Sequence, residues 1–259
     1  MGMQEETLSG RYLYAIVPRA DALPEESSDS YESTGLNGGG VYCVLQGSIA
    51  AVVSDVPKSK FRPERRHLAA HHQLLRSLMD EGRAVLPVSF GVVAQDAEAL
   101  RRILSLNEDA LQEQIERVAG KVEMGLRVVW DVPNVFQYIV DMHPELRALR
   151  DRLFRGGREP TQDEKIALGS RFGQLVEEDR AAHTETVREV LEEGGFEIKE
   201  NGPRDESEVM NLACLIGRDR QDAFEEAVLE AAKRFDDNYA FDYNGPWPPY
   251  AFVDVALET

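Results

Sequence analysis

Positive charge is scarce in this 259-residue chain: 29 basic residues, only six of them lysine, face 47 acids, for a formal charge of −18. A surface so acidic, with no basic stripe to offset it, argues against a nucleic-acid backbone as partner, because like charges repel. Basic surfaces are the better match. Cysteine is scarcer still. Cys43 and Cys214 lie far apart in apolar, strand-like runs and read as buried thiols rather than a disulfide or zinc framework, which fits a reducing, cytosolic compartment. No run approaches the roughly 20 consecutive apolar residues that span a bilayer, so no membrane partner is expected. The stretch "MGMQEETLSG" carries acids where a secretory signal is positive, and has no apolar core, so export is not expected. Glu6 stands where N-myristoylation asks for Ser or Thr.

The short motifs of enzymes are missing too. The glycines of "NGGG" and "RGGRE" form neither GxxxxGK[ST] nor GxGxxG, and no GxSxG is present. His67 and His71 share one helical face, with His72 beside them. "HLAAHH", however, has no acid between the pair and no motif naming a third ligand, so they read as polar residues flanking an apolar helix face. His143 and His183 stand alone. Glu177-Glu178, Glu192-Glu193 and Asp236-Asp237 read as solvated charge, since adjacent helical residues do not face each other. The expectation is therefore of no catalytic, cofactor-binding or metal-binding residue, no cofactor, and no enzyme; the protein-binding residues are left unassigned.

What is present is an ordinary globular composition, 42% apolar and 29% charged. "RYLYAIV" (11–17) reads as a strand, and 20–40 as a flexible loop. "VYCVLQ" and "SIAAVVSDV" flank Gly47 as a hairpin. A helix starts at Pro63, its apolar face made of Leu68, Leu75 and Met79, widened by Leu74 and Leu78. "AVLPVSFGVVA" is a strand interrupted by Pro87, at an edge or a bulge. Ser105 and Glu108 form a capping-box pattern between two helices, and "KVEMGLRVVWD" is a strand. Pro144 divides the next helical stretch. Thr161 and Glu164 cap a long helix that Gly194-Gly195 stops. Strand, strand, helix and final strands near Phe241 and Phe252 complete the chain. The expected class is α+β with two domains: residues 1–120, and 121–259, the latter ferredoxin-like (β-α-β-β-α-β) with an enlarged helical insertion. In "DYNGPWPPYAFVDV", Asn-Gly turns the chain and the prolines stiffen it. Trp247 and Tyr250 are read there as scaffold that re-aims a last strand rather than as an exposed polyproline ligand.

These segments carry a resemblance. "NGPWPPYAFVD" resembles the closing motif of the gas vesicle protein F/L family. "RYLYAIV", "AVLPVSFGVV", "KVEMGLRVVW" and "NLACLIGRD" are similar to its first strand, its LPxxFG segment, its Glu-x-Gly stretch and its penultimate strand, in the same order. Two positions depart: Met124 stands where an aromatic residue is usual, and Ser89 where a basic one is frequent. The resemblance implies a non-enzymatic accessory or minor structural protein of gas vesicles, cytoplasmic and vesicle-associated. It would bind the small hydrophobic shell protein, with other accessory proteins as further partners, and support nucleation or assembly. The alternative from another class is a small-ligand-binding or enzymatic protein built on the ferredoxin-like domain. An exposed apolar patch or open sheet edge would favour the first; a closed pocket with convergent polar groups, the second.

Overall fold

Strand β1 (Ser9–Pro18) is apolar at nearly every position from Tyr12 to Val17, and such a strand needs cover on both faces. The computed structural model, which describes residues 9–23, 35–57, 64–155 and 159–255, supplies it. β1 pairs antiparallel with β3 (Ile49–Pro57), which pairs antiparallel with β2 (Val41–Gln46). Its other edge takes two short strands, β4 (Leu86–Pro87) and β5 (Val93–Ala94). The register with β3 shifts between Leu13 and Ala15, leaving Tyr14 as a bulge. The bulge resets the alternation. Leu13 and Ile16 join one apolar cluster with helices α2 (Ala97–Leu106) and α3 (Glu108–Val118), whereas Tyr12 and Tyr14 meet helix α1 (Arg65–Asp80).

The β2–β3 hairpin turns on Gly47 and Ser48, with Gly47 at φ +54°. Glu108, at the start of α3, accepts from the Ser48 N–H (2.7 Å) and Oγ (2.8 Å). Glycine suits this left-handed conformation, and a Cβ on Gly47 would lie 2.0 Å from that carboxylate, which would have to move aside. The expected Ser105–Glu108 capping box is therefore absent. Ser105 lies inside α2, the Asn107 side chain bonds the Ile103 carbonyl, and Glu108 serves the hairpin instead. On α1, Leu74, Leu75, Leu78 and Met79 are buried as expected, joined by His67 and His71. Leu68 is not on that face; it is 38% exposed. The N-terminal signal and myristoylation sites, Pro63, most of the 20–40 loop and the glycines of "RGGRE" lie outside the described residues.

The chain divides into two units, Met1–Glu123 with Pro246–Thr259, and Met124–Gly245. The tail after Gly245, assigned from sequence to a 121–259 domain, thus belongs with the first unit. Its expected final strand is instead a single 3-10 turn, Tyr250–Phe252. Pro248 and Pro249 have no N–H to give a ladder, and the Tyr250 N–H turns back to the Pro248 carbonyl at 2.7 Å.

The second unit is built on β6 (Lys121–Trp130), which buries alternate residues from Val122 to Trp130. Helix α4 (Val135–Met142) ends where Pro144 opens α5 (Pro144–Phe154). The long α6 (Gln162–Glu193) begins on the expected Thr161–Glu164 capping box and ends at Gly194, followed by Gly195 at φ +75°. β7 (Glu197–Asn201), β8 (Glu208–Gly217), α7 (Gln221–Ala232) and β9 (Tyr239–Trp247) follow, in sheet order β7-β8-β6-β9. β8 is buried from Glu208 to Ile216, and Glu208 is neutralised by Arg127 Nε at 2.7 Å. Cys43 and Cys214 are buried and not joined in a disulfide. The fold is thus mixed helix and sheet with two antiparallel sheets.

Two stability outcomes follow, both read by urea unfolding. Gly47→Ala loses about 1–3 kcal/mol, because alanine must hold a left-handed conformation. Phe252 is fully buried and Trp247 is 40% exposed, so Phe252→Ala costs about 3–5 kcal/mol and Trp247→Ala clearly less. Equal losses would show that the tryptophan anchors the tail as strongly as the phenylalanine, and a larger loss for Trp247→Ala that it is the main anchor.

Candidate partner-binding groove

His71 is fully buried, so both ring nitrogens need partners within the protein. Nδ1 lies 2.9 Å from the Tyr12 hydroxyl and Nε2 3.0 Å from the Tyr250 hydroxyl. The Gly91 N–H donates to the Tyr12 oxygen (3.1 Å), which leaves that hydroxyl's proton to point at Nδ1 and Nε2–H to donate to Tyr250. Burial holds the imidazole pKa down to about 4, with His72 nearby adding to the effect, so the ring is neutral. Burial raises the phenols of Tyr12, Tyr14 and Tyr250, which stay protonated. Tyr14 extends the network, accepting from the Leu36 N–H and bonding Ser54 Oγ at 2.8 Å. The Phe90 ring packs edge-on against Tyr12 and His71.

Three stretches distant in sequence therefore meet at one histidine: "RYLYAIV" through Tyr12, "LPVSFG" through Phe90 and Gly91, and "PWPPYAF" through Tyr250. The Glu-x-Gly stretch joins them. The Glu123 carboxylate accepts from the Ala251 N–H at 2.8 Å, and burial raises its pKa. Gly125 leaves room for Asn244, whose Oδ1 would lie 2.9 Å from a Cβ there. The tail is held further by Arg117 on the Phe252 carbonyl and by Gln114 on the Asp254 N–H.

Fixed in this way, the tail forms one wall of a groove of about 270 Å³. Tyr250, Val253 and Val255 face Leu86, Pro87, Val88 and Val92 of the edge segment, with Ile16 and Leu111 also lining it. Val92 is 39% exposed. Tyr250 supplies the only ionisable side chain among these lining residues, and its phenol is neutral. Chemically the groove can shelter an apolar segment; its lining carries the hydroxyls of Ser89 and Tyr250 and no carboxylate, amine, thiol or imidazole. Ser89 lies on its lining, so the basic side chain expected there is replaced by a neutral hydroxyl. Met124 is 5% exposed and fills core.

The other residues singled out from sequence do not converge. His67 bonds Asn37, itself at φ +55°, and His72 is exposed. His143 pairs with Asp179 at 2.8 Å, and His183 bonds Tyr239 within an aromatic cluster. Glu177 and Glu178 are exposed and paired with Arg180 and Arg171; Glu192, Glu193, Asp236 and Asp237 are exposed. Among the described residues no group of three or more His, Cys, Asp or Glu could hold a metal ion, and no helix is long and apolar enough to cross a membrane. The bridge from His71 to Tyr250 spans 179 positions, and no local pattern marks it. The one local signal is a histidine on the apolar face of its helix.

The family model described as "Gas vesicle synthesis protein GvpL/GvpF" matches residues 10–254. Gas vesicle protein F of a Streptomyces species is 32% identical over 216 residues, covering 83% of this chain and 88% of that protein. Gas vesicle protein F of a Nostoc species is 28% identical over 254 residues, covering 96% and 99%. The crystal structure of GvpF from an Anabaena species is similar with a TM-score of 0.80 at 26% identity, over 96% of this chain and 99% of that one. The matched span runs from β1 through the tail that closes on His71, and the chain belongs to the GvpL/GvpF family of gas vesicle synthesis proteins.

Proposed function

We propose that the protein is a non-enzymatic accessory of gas vesicle formation that holds the small hydrophobic shell protein while the shell nucleates or grows. The observation that carries this reading is the groove of the first unit, walled by apolar side chains from the edge segment and the tail. An exposed apolar groove of this kind marks a contact surface for an apolar partner. The short strands β4 and β5 give it an irregular edge, and Pro87 blunts regular strand addition there. The net charge of −18 keeps a complex with an aggregation-prone subunit dispersed. On this reading the protein works in the cytoplasm, at the vesicle, alongside other accessory proteins.

We also read the second unit as ferredoxin-like with an enlarged first helical connection. In support, β6 is followed by three helices, β7, β8, α7 and β9, and the fourth strand lies beside the first in the order β7-β8-β6-β9. The pockets of this unit among the described residues, of about 170, 280 and 550 Å³, are all open to solvent rather than enclosed, which favours the assembly reading over a small-ligand site.

Co-expression of the tagged protein with the small shell protein, followed by pull-down, tests the assignment. Wild type retains the shell protein in the soluble fraction. Val92→Glu, which places a charge in the groove at an already exposed position, loses at least 10-fold in capture with unchanged thermal stability. Equal capture by both would remove the groove from the function.

A second outcome concerns the wall itself. His71 stays neutral in the fold down to about pH 4, whereas an unfolded histidine takes up its proton near 6.5. The unfolded chain thus binds the extra proton, and stability from this group is full above pH 6.5 and falls as pH drops to about 4. In urea titrations, the advantage of wild type over His71→Gln is greatest near neutral pH and shrinks across that window. A constant gap would mean that His71 is not held neutral.

A further inference from the structure

The second unit carries an apolar groove of its own, about 280 Å³, between helices α4 and α6. Phe136 of α4 and Phe172 of α6 stack at 4.7 Å between ring centroids, yet Phe136 remains 48% exposed. Gly173 lies beside them on the lining, and Gly169 sits one turn earlier on the same face of α6. Glycine inside a helix costs about 0.5–1 kcal/mol relative to alanine. No contact among the described residues calls for it here: a Cβ on either residue would meet nothing within 4 Å. The two glycines leave the helix backbone open to close approach from outside.

Charge selects the visitor. Arg180 lines the groove, but its guanidinium is fully engaged with the Glu177 carboxylate (2.7 Å) and the carbonyls of Asp205, Glu206 and Glu208, and it lies over the Trp130 ring. Glu177 cancels its charge. The Glu206 carboxylate, exposed on the same lining, makes no hydrogen bond or ion pair among the described residues. The groove is therefore apolar at Val135, Phe136, Phe172 and Val176, bare of a side chain at Gly173, and negative at its rim.

We infer that this groove receives an amphipathic helix of a partner protein, with small apolar residues on its inner face and a lysine or arginine placed against Glu206. A helix fits where two helices form the walls and glycine permits backbone approach, and side chains then interlock as ridges in grooves. A second copy of this chain is disfavoured, since each carries −18. The surface is separate from the groove of the first unit, and the inference does not depend on what that groove holds.

The test uses the full-length protein and a dye-labelled 18-residue peptide of alanine, leucine and lysine arranged as an amphipathic helix. A scrambled peptide and a version with glutamate for lysine serve as controls, and binding is read by fluorescence anisotropy. Wild type binds the lysine helix saturably and at least 10-fold more tightly than either control. Gly173→Leu fills the groove and weakens binding at least 10-fold. It also raises helix propensity in open space, so an unchanged or higher melting temperature by circular dichroism separates blocked binding from unfolding. Glu206→Lys weakens binding comparably, while Val92→Glu in the first unit has no effect. Equal binding of the scrambled peptide, or no effect of Gly173→Leu, would reduce the interaction to general attraction to an acidic protein and overturn the inference. Sedimentation showing a dimer that Gly173→Leu dissolves would overturn it in favour of a second copy.

Discussion

The first unit depends on a single buried imidazole. A neutral histidine removed from water must have one nitrogen serve as donor and the other as acceptor, or suffer a desolvation penalty of a few kcal/mol. His71 meets this condition with the Tyr12 hydroxyl at Nδ1 and the Tyr250 hydroxyl at Nε2, and the Val88 backbone contributes as well. Meeting that condition orients β1: Tyr12 and Tyr14, two residues apart, both face α1, and the bulge at Tyr14 brings Ile16 onto the side of Leu13 for the α2–α3 cluster. It also positions the edge segment, since Gly91 and Phe90 complete the surroundings of Tyr12. The tail follows, and with it the wall of the groove. A polar network of this kind imposes one arrangement where an all-apolar contact would tolerate several.

Much of the local structure was legible in the sequence, for definite reasons. The hairpin at Gly47, the break at Pro144 and the capping box of Thr161 and Glu164 each depend on residues within a few positions of one another, and all appear where the local chemistry puts them. Errors arose where a distant partner outcompeted a local one. Glu108 fits a capping box with Ser105, yet the hairpin turn offers it two donors and takes it. "YAFVDV" has the composition of a strand, but the prolines before it withhold the N–H groups a ladder requires, and the Phe252 side chain finds a buried site without one. Of the two residues read as scaffold in the proline motif, Trp247 and Tyr250, the tryptophan is the larger but not the anchor. The anchors are its neighbours Tyr250 and Phe252, because the 3-10 turn carries those side chains inward and leaves Trp247 40% exposed.

The candidate site was less legible than the fold. The segments that carry the family resemblance could be quoted, but not the fact that they converge. Conventional catalytic motifs are patterns of reactive groups at short spacing; this groove is instead an absence of charge between a tail and an edge segment far apart in the chain. The histidines were read as polar residues flanking an apolar face, because sequence shows which residues share a helical face and not what opposes that face. Here tyrosine opposes His71, Asn37 meets His67 and solvent meets His72.

The two grooves make different demands on the same acidic protein. In the first unit charge is excluded: Ser89 puts a neutral hydroxyl on the lining, and the neighbouring ionisable groups are kept neutral by burial. A charge introduced there would have to be desolvated whenever an apolar partner arrived, opposing the burial that drives association. In the second unit the rim charge of Glu206 is left without an internal counter-ion, and a charge of that kind adds selectivity and encounter rate more than affinity. Apolar contact in both grooves can supply the holding force, while only the second discriminates by sign. A protein arranged in this way can retain an apolar subunit through one surface and still choose a separate, basic partner through the other, with no chemistry required at either.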